Sequence, residues 1–120
     1  MAIELQESDG GRILEVFLTG KIVKEDYATF VPAVDRAIAT HGKIRMLVVM
    51  HDFHGWTVSA AWEDTKFGAR HFRDIDRLAM VGERKWQHGM AIFCKPFTTA
   101  TVRYFSQDKL DDACAWLRAA

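Results

Sequence analysis

The stretch Ile44-Arg45-Met46-Leu47-Val48-Val49-Met50 constrains the fold more than any other part of this 120-residue chain. It is a nearly continuous apolar run with several β-branched residues, whereas a strand with one wet face alternates apolar and polar positions. A strand that is apolar on both sides needs cover on both sides. In soluble domains that cover is provided by helices packed on a mostly parallel sheet. Leu47, Val48 and Val49 are therefore expected in the most buried strand of an α/β domain. The unbroken part of the run, Met46 to Met50, is far too short to span a membrane.

The flanking patterns supply the other elements. Ile3 to Gln6 and Arg12 to Leu18 alternate around Gly10-Gly11, which predicts an N-terminal antiparallel hairpin closed by Thr19-Gly20. Tyr27, Phe30, Val31, Val34 and Ile38 recur at helical spacing, with Glu25 and Asp26 before them and Gly42 behind. Pro32 inside this stripe predicts a kink, or a second helix starting there. His51 to Val58 reads as a loop, and a helix begins near Ser59. Strands are expected over Arg77–Val81 and Val102–Phe105. A further helix carries Trp86, Met90 and Phe93, and a last one, capped by Asp108, buries Leu110, Ala113, Cys114 and Leu117. The order is ββαβαβαβα: one domain over residues 1–120, with a four- to five-stranded, mostly parallel sheet and about four helices.

Composition excludes several classes. With 49% hydrophobic and 27% charged residues the chain is not disordered. Sixteen basic residues balance sixteen acidic ones, so overall charge gives no warrant for nucleic-acid binding. Charge is uneven, however, because Lys66 to Arg103 holds eight basic and three acidic residues. This reads either as solvated helix faces or as a surface for an anionic partner. Cys94 and Cys114 form no metal-binding pattern, so both read as reduced apolar residues. The opening MAIELQESDGGR has neither a basic n-region nor an apolar h-region, so no signal peptide and no transmembrane segment are expected, and the location expected is the cytoplasm.

Five fragments carry a family likeness. They are Lys24-Glu25-Asp26-Tyr27; Asp52-Phe53-His54-Gly55; Ala79-Met80-Val81-Gly82 followed by Trp86; Lys95-Pro96-Phe97 continuing to Val102-Arg103-Tyr104-Phe105; and Ala115-Trp116-Leu117. In this order and spacing, from about Leu14 to Leu117, the chain resembles the SpoIIAA-like family. Members share the fold of STAS domains and are discussed beside the CRAL-TRIO lipid-binding domains. The resemblance implies successive βα units and no particular reaction. STAS anti-sigma antagonists carry Asp-x-Ser-Gly after the central strand, and a partner kinase phosphorylates that Ser. Here His54 stands in its place, which puts the phospho-switch in doubt. Thr57 and Ser59 are the nearby hydroxyls.

The candidate chemistry lies beyond the central strand. His51, Asp52 and His54 offer metal-binding or acid–base groups there, yet lack the fixed spacing of a His-Glu-x-x-His helix, so no metal site is expected. No nucleophile elbow and no phosphate-binding glycine loop occurs. Trp56, Trp62, Phe67, Trp86 and Phe97 suggest an apolar groove or contact face. At 100° per residue, Phe67 falls opposite the small residues Ala61, Gly68 and Ala69, with Trp62 on the flank, which points to a homodimer or ligand groove on this helix. The expected ligand or partner surface is Asp52, Phe53, His54, Trp56, Trp62, Phe67, Arg70 and His71. The expected function is non-catalytic binding of a protein partner or a small apolar, lipid-like ligand, with no cofactor. The alternatives are an anti-sigma-antagonist-type regulator and a small enzyme or metal protein using His51, Asp52 and His54.

Overall fold

A computed structural model of the chain describes residues 3–57, 59, 66, 74–82 and 101–119, with backbone alone at Asp9 and at 53–56. Strand β1 (Ile3–Ser8) turns through a 3-10 segment, Asp9–Gly11, into β2 (Ile13–Ile22). A second 3-10 segment, Lys24–Asp26, leads into helix α1 (Tyr27–His41), followed by β3 (Ile44–Trp56) and β4 (Ile75–Gly82). Then come β5 (Thr101–Ser106), a third 3-10 segment, Gln107–Lys109, and helix α2 (Leu110–Arg118). The strands lie in chain order in one mixed five-stranded sheet. β1 pairs antiparallel with β2, while β2–β3, β3–β4 and β4–β5 are parallel.

The apolar run sits at the centre of this sheet, and its two sets of side chains face two cores. Ile44, Met46 and Met50 join Tyr27, Phe30, Val34 and Ala37 of α1, together with Leu14, Val16, Leu18 and Ile22 of β2. Leu47 and Val49 face the other way, toward Ala79, Val81, Phe105 and the Ala113 and Leu117 side chains of α2. Leu47 and Val49 are buried as expected, and Val48 is half-buried. Helices thus cover both sides of the sheet, which is what the missing alternation required.

Several details differ from the sequence reading. Pro32 lies inside an uninterrupted α1. Its ring deprives the Ala28 carbonyl of a helical donor, but Ala28 and Pro32 are both exposed, so the carbonyl is open to solvent and the loss is small. β2 does not close at Thr19-Gly20. Gly20, at φ 63°, bulges the strand, which runs on to the fully buried Ile22. On α2, Leu110 is 37% exposed, not buried with Ala113 and Leu117. Asp108 lies within the preceding 3-10 turn and makes no side-chain cap. Its carboxylate instead accepts the Ser106 hydroxyl at 2.6 Å. Of the four expected helices, those near Ser59 and Trp86 fall mostly or wholly outside the described residues, where only Ser59 and Lys66 are seen as helical.

Candidate functional site

The segment read as a loop, His51 to Val58, is strand as far as Trp56. Its partner is the extension of β2: Gly20 pairs with Phe53, Lys21 with Gly55 and Ile22 with Trp56. The Thr57 amide then donates to the Ile22 carbonyl at 2.9 Å. Loop residues became strand because Gly20 allows β2 to bulge and continue, which supplies backbone partners for β3. The two strands do not keep step. From Leu18↔Met50 to Gly20↔Phe53, and again from Gly20↔Phe53 to Lys21↔Gly55, β3 uses one residue more than β2. Asp52 takes up the first mismatch at φ 50°, the left-handed region that Asp tolerates better than most side chains.

Pairing of β3 with β4 ends at Val49↔Val81. β3, together with the extension of β2, therefore overruns the carboxyl end of β4 by about 20 Å, at the usual rise per residue. This is the edge where open α/β sheets hold ligands. His51 and Asp52 stand there, with side chains 58% and 77% exposed and His51 Nε2 3.5 Å from Asp52 Oδ2. The Gln107 amide nitrogen, from the turn after β5, lies 2.9 Å from His51 Nδ1. The His51 ring thus lies between the Gln107 side-chain amide and the Asp52 carboxylate. Tyr104 braces the same edge by donating its hydroxyl to the Gly82 carbonyl at 2.5 Å.

Of the expected surface residues, the structure thus places Asp52 at this edge, and the Phe53, His54 and Trp56 backbones in the β2–β3 extension. Trp62, Phe67, Arg70 and His71 lie outside the described residues, as do Trp86, Cys94 and Phe97. Gln107 was missed, because its link to His51 spans 56 positions and no local pattern announces it. Among the described residues no three His, Cys, Asp or Glu side chains gather as a metal site. No helix among them is long and apolar enough to cross a membrane.

A second polar group was also missed, on the sheet face under α2. Arg45 and Arg77 are register partners near the amino ends of β3 and β4. Arg45 Nη1 donates to the Leu117 and Ala119 carbonyls, and its Nε lies 3.2 Å from Asp76. Arg77 Nη1 donates to the Trp116 and Ala119 carbonyls at 2.7 and 3.0 Å. Helix ends leave their last carbonyls without partners, and cations are favoured there. The two guanidiniums clamp the end of α2 in this way. The signal was present in the sequence: Arg45-Met46-Leu47-Val48-Val49 and Arg77-Leu78-Ala79-Met80-Val81 place Arg two residues before the inward apolar pair. Midway along α2, burial raises the Cys114 thiol pKa; the Glu15 carboxylate adds to this and Arg118 partly opposes it.

A mixed sheet with a leading hairpin, parallel crossovers and helices on both faces defines an α/β domain of the STAS-like class. The sequence profile described as SpoIIAA-like matches residues 13–118, and the chain belongs to the SpoIIAA-like family. Among solved structures it is similar to that of an uncharacterized protein with a SpoIIAA-like fold from Shewanella loihica PV-4. The identity is 28% and the TM-score 0.81, over 97% of this chain and 92% of the other. No curated protein matches the chain.

Proposed function

We propose that this chain is a non-catalytic binding domain that holds a protein partner or a small apolar, lipid-like ligand at the carboxyl edge of its sheet. The observation that carries the reading is the bulged overrun of β3, with Asp52 in the left-handed region at φ 50°. Bulges and strained backbone of this kind concentrate at binding sites, where they re-aim side chains. The exposure of His51 and Asp52 supports binding over catalysis. Water around an exposed pair weakens the fixed electrostatics on which catalysis depends. His54 in place of the phospho-acceptor Ser, on a backbone that is strand, weighs against the anti-sigma-antagonist reading.

Native mass spectrometry of freshly purified protein tests the proposal. A co-purified small molecule, or a stoichiometric partner, that is lost in Asp52→Gly with the fold retained supports it. Bare protein in both forms counts against it. The homodimer expected on the helix after Ser59 belongs to the same proposal. Sedimentation at micromolar concentration should show a wild-type dimer that Phe67→Glu weakens. A wild-type monomer removes the dimer.

A further inference from the structure

β1 is the edge strand on the hairpin side of the sheet. It pairs with β2 and, among the described residues, with no strand on its outer side. An edge strand offers a row of unpaired N–H and C=O groups, which proteins commonly blunt with a bulge, a proline or a lysine. β1 has none of these: its six residues run from Ile3↔Leu18 to Ser8↔Ile13 without a register shift. Glu4, Gln6 and Glu7 are exposed, and Leu5 is half-buried. Alternation along the strand puts acid on both faces. Leu5 and Glu7 follow Ile3 on the α1 side, where Ile3 and Leu5 join the core. Glu4 and Gln6 share the α2 side with Ser8, which lines a small recess with Cys114 and Leu117.

Charge decides which strand this edge favours. The six paired rows of β1 and β2 hold three glutamates, Glu4, Glu7 and Glu15, and no Lys or Arg. None of the three forms an ion pair among the described residues, and Arg118, which shares the recess with Ser8 and Glu15, pairs with neither. Opposite charges on neighbouring strands attract and like charges repel. An acidic or phosphate-bearing neighbour is therefore disfavoured, and a second β1 would bring its own Glu4 and Glu7 to the same edge. We propose that the outer edge of β1 takes a basic extended segment of a protein partner, added as a further antiparallel strand. Antiparallel pairing is the more stable of the two per residue. In that pairing the residues opposite Glu7 and Glu4 stand three apart and on opposite faces, and the residue opposite Leu5 lies between them. The segment that fits reads Lys-x-apolar-Lys, its apolar residue extending the α1-side core past Leu5. This inference concerns the hairpin edge and is independent of the carboxyl-edge reading.

The test is a titration of the ¹⁵N-labelled full chain with acetyl-Thr-Lys-Thr-Val-Lys-Val-amide. Saturable shifts are expected in β1 and its β2 rows, with slowed exchange at alternate β1 amides, since every second N–H of an edge strand points outward. The same peptide with Glu for Lys should give none. Glu4→Lys/Glu7→Lys, checked for an unchanged melting curve, should bind the Lys peptide about tenfold or more weakly and take the Glu peptide instead. Two Lys peptides, N-methylated on alternate sets of amides, separate strand addition from plain charge attraction: one should bind and the other should not. Any of the following overturns the proposal: no shift, equal shifts with the Glu peptide, binding by the charge-reversed variant that is undiminished or unswitched, or no difference between the two methylated peptides. So does self-association of the wild type in sedimentation that the charge-reversed variant loses, which would give the edge to a second copy.

Discussion

Replacing Arg77 with Met tests whether the arginine clamp holds α2 on the sheet. Methionine keeps much of the apolar stem and removes the guanidinium. Two bonds from a charged donor to the Trp116 and Ala119 carbonyls are lost, with the stacking on Trp116. Buried, each such bond contributes about 1.5–3 kcal/mol; because Arg77 is half-buried and water reaches the freed carbonyls, about 1 kcal/mol each is the better figure. The cation–π contact adds about 0.5–1 kcal/mol. Relief of repulsion with Arg45 returns a few tenths. The net loss expected is about 2–3 kcal/mol by urea denaturation. It should fall on α2 first, because a nine-residue helix has little stability of its own. Amide exchange at Ala113–Arg118 should speed up more than exchange in β3. Arg77→Lys should recover less than half, since a lysine cannot stack and bridge two carbonyls together. A loss below about 0.5 kcal/mol would refute the clamp, as would a larger loss that leaves α2 exchange unchanged.

Other outcomes follow from the same structure. Leu47→Ala, at a site 2% exposed in the central strand, should cost about 2–5 kcal/mol in chemical denaturation. Gly11→Ala should cost about 1–3 kcal/mol, because Gly11 sits at φ 92° and the new Cβ would meet His41 Nε2 at 2.6 Å. Gly10→Ala, at φ 68° with open space around it, should cost only the backbone part, and equal melting shifts for the two would remove the role given to His41. The Ser106 hydroxyl, helped by the Asp108 backbone amide, holds the Asp108 carboxyl below the usual range. Stability from this bond is present above the ordinary carboxylate pKa and is lost as pH falls through the lowered value. Ser106→Ala should move the Asp108 titration upward in carbon-detected NMR.

How much of this was legible depended on range. The two-sided burial of Ile44–Met50 and the hairpin at Gly10-Gly11 follow from local periodicity, and local periodicity survives folding. The end of β3 did not follow, because whether His51–Trp56 is loop or strand depends on β2 reaching Ile22 through a bulge at Gly20. Glycine there signals a stop or a bulge equally well. Leu110 kept helical spacing yet is the first residue of α2 and stays exposed, while Ala113 and Leu117 are buried. His51 and Asp52 could be chosen from their place after the central strand, whereas Gln107 could be found only from the fold. The arginines were legible as a repeated spacing in two strands, but a charged residue in an apolar run reads first as an edge, not as a helix clamp.

The polar groups that matter collect at opposite ends of the parallel strands because the middle of the sheet is committed to packing. Leu47, Val49, Ala79 and Val81 leave no room there for an unpaired donor. At the amino end, Arg45 and Arg77 find acceptors in the last carbonyls of α2. At the carboxyl end, His51 finds Gln107, in the 3-10 turn that leads directly into the same helix. α2 is only about 13 Å long at the helical rise, so it acts as one short rigid strut between the clamp and the histidine. Its apolar anchorage is narrow, with Ala113 and Leu117 as its buried side chains, and polar contacts at both ends supplement it. Movement of α2 would therefore disturb the clamp and the His51–Gln107 contact together.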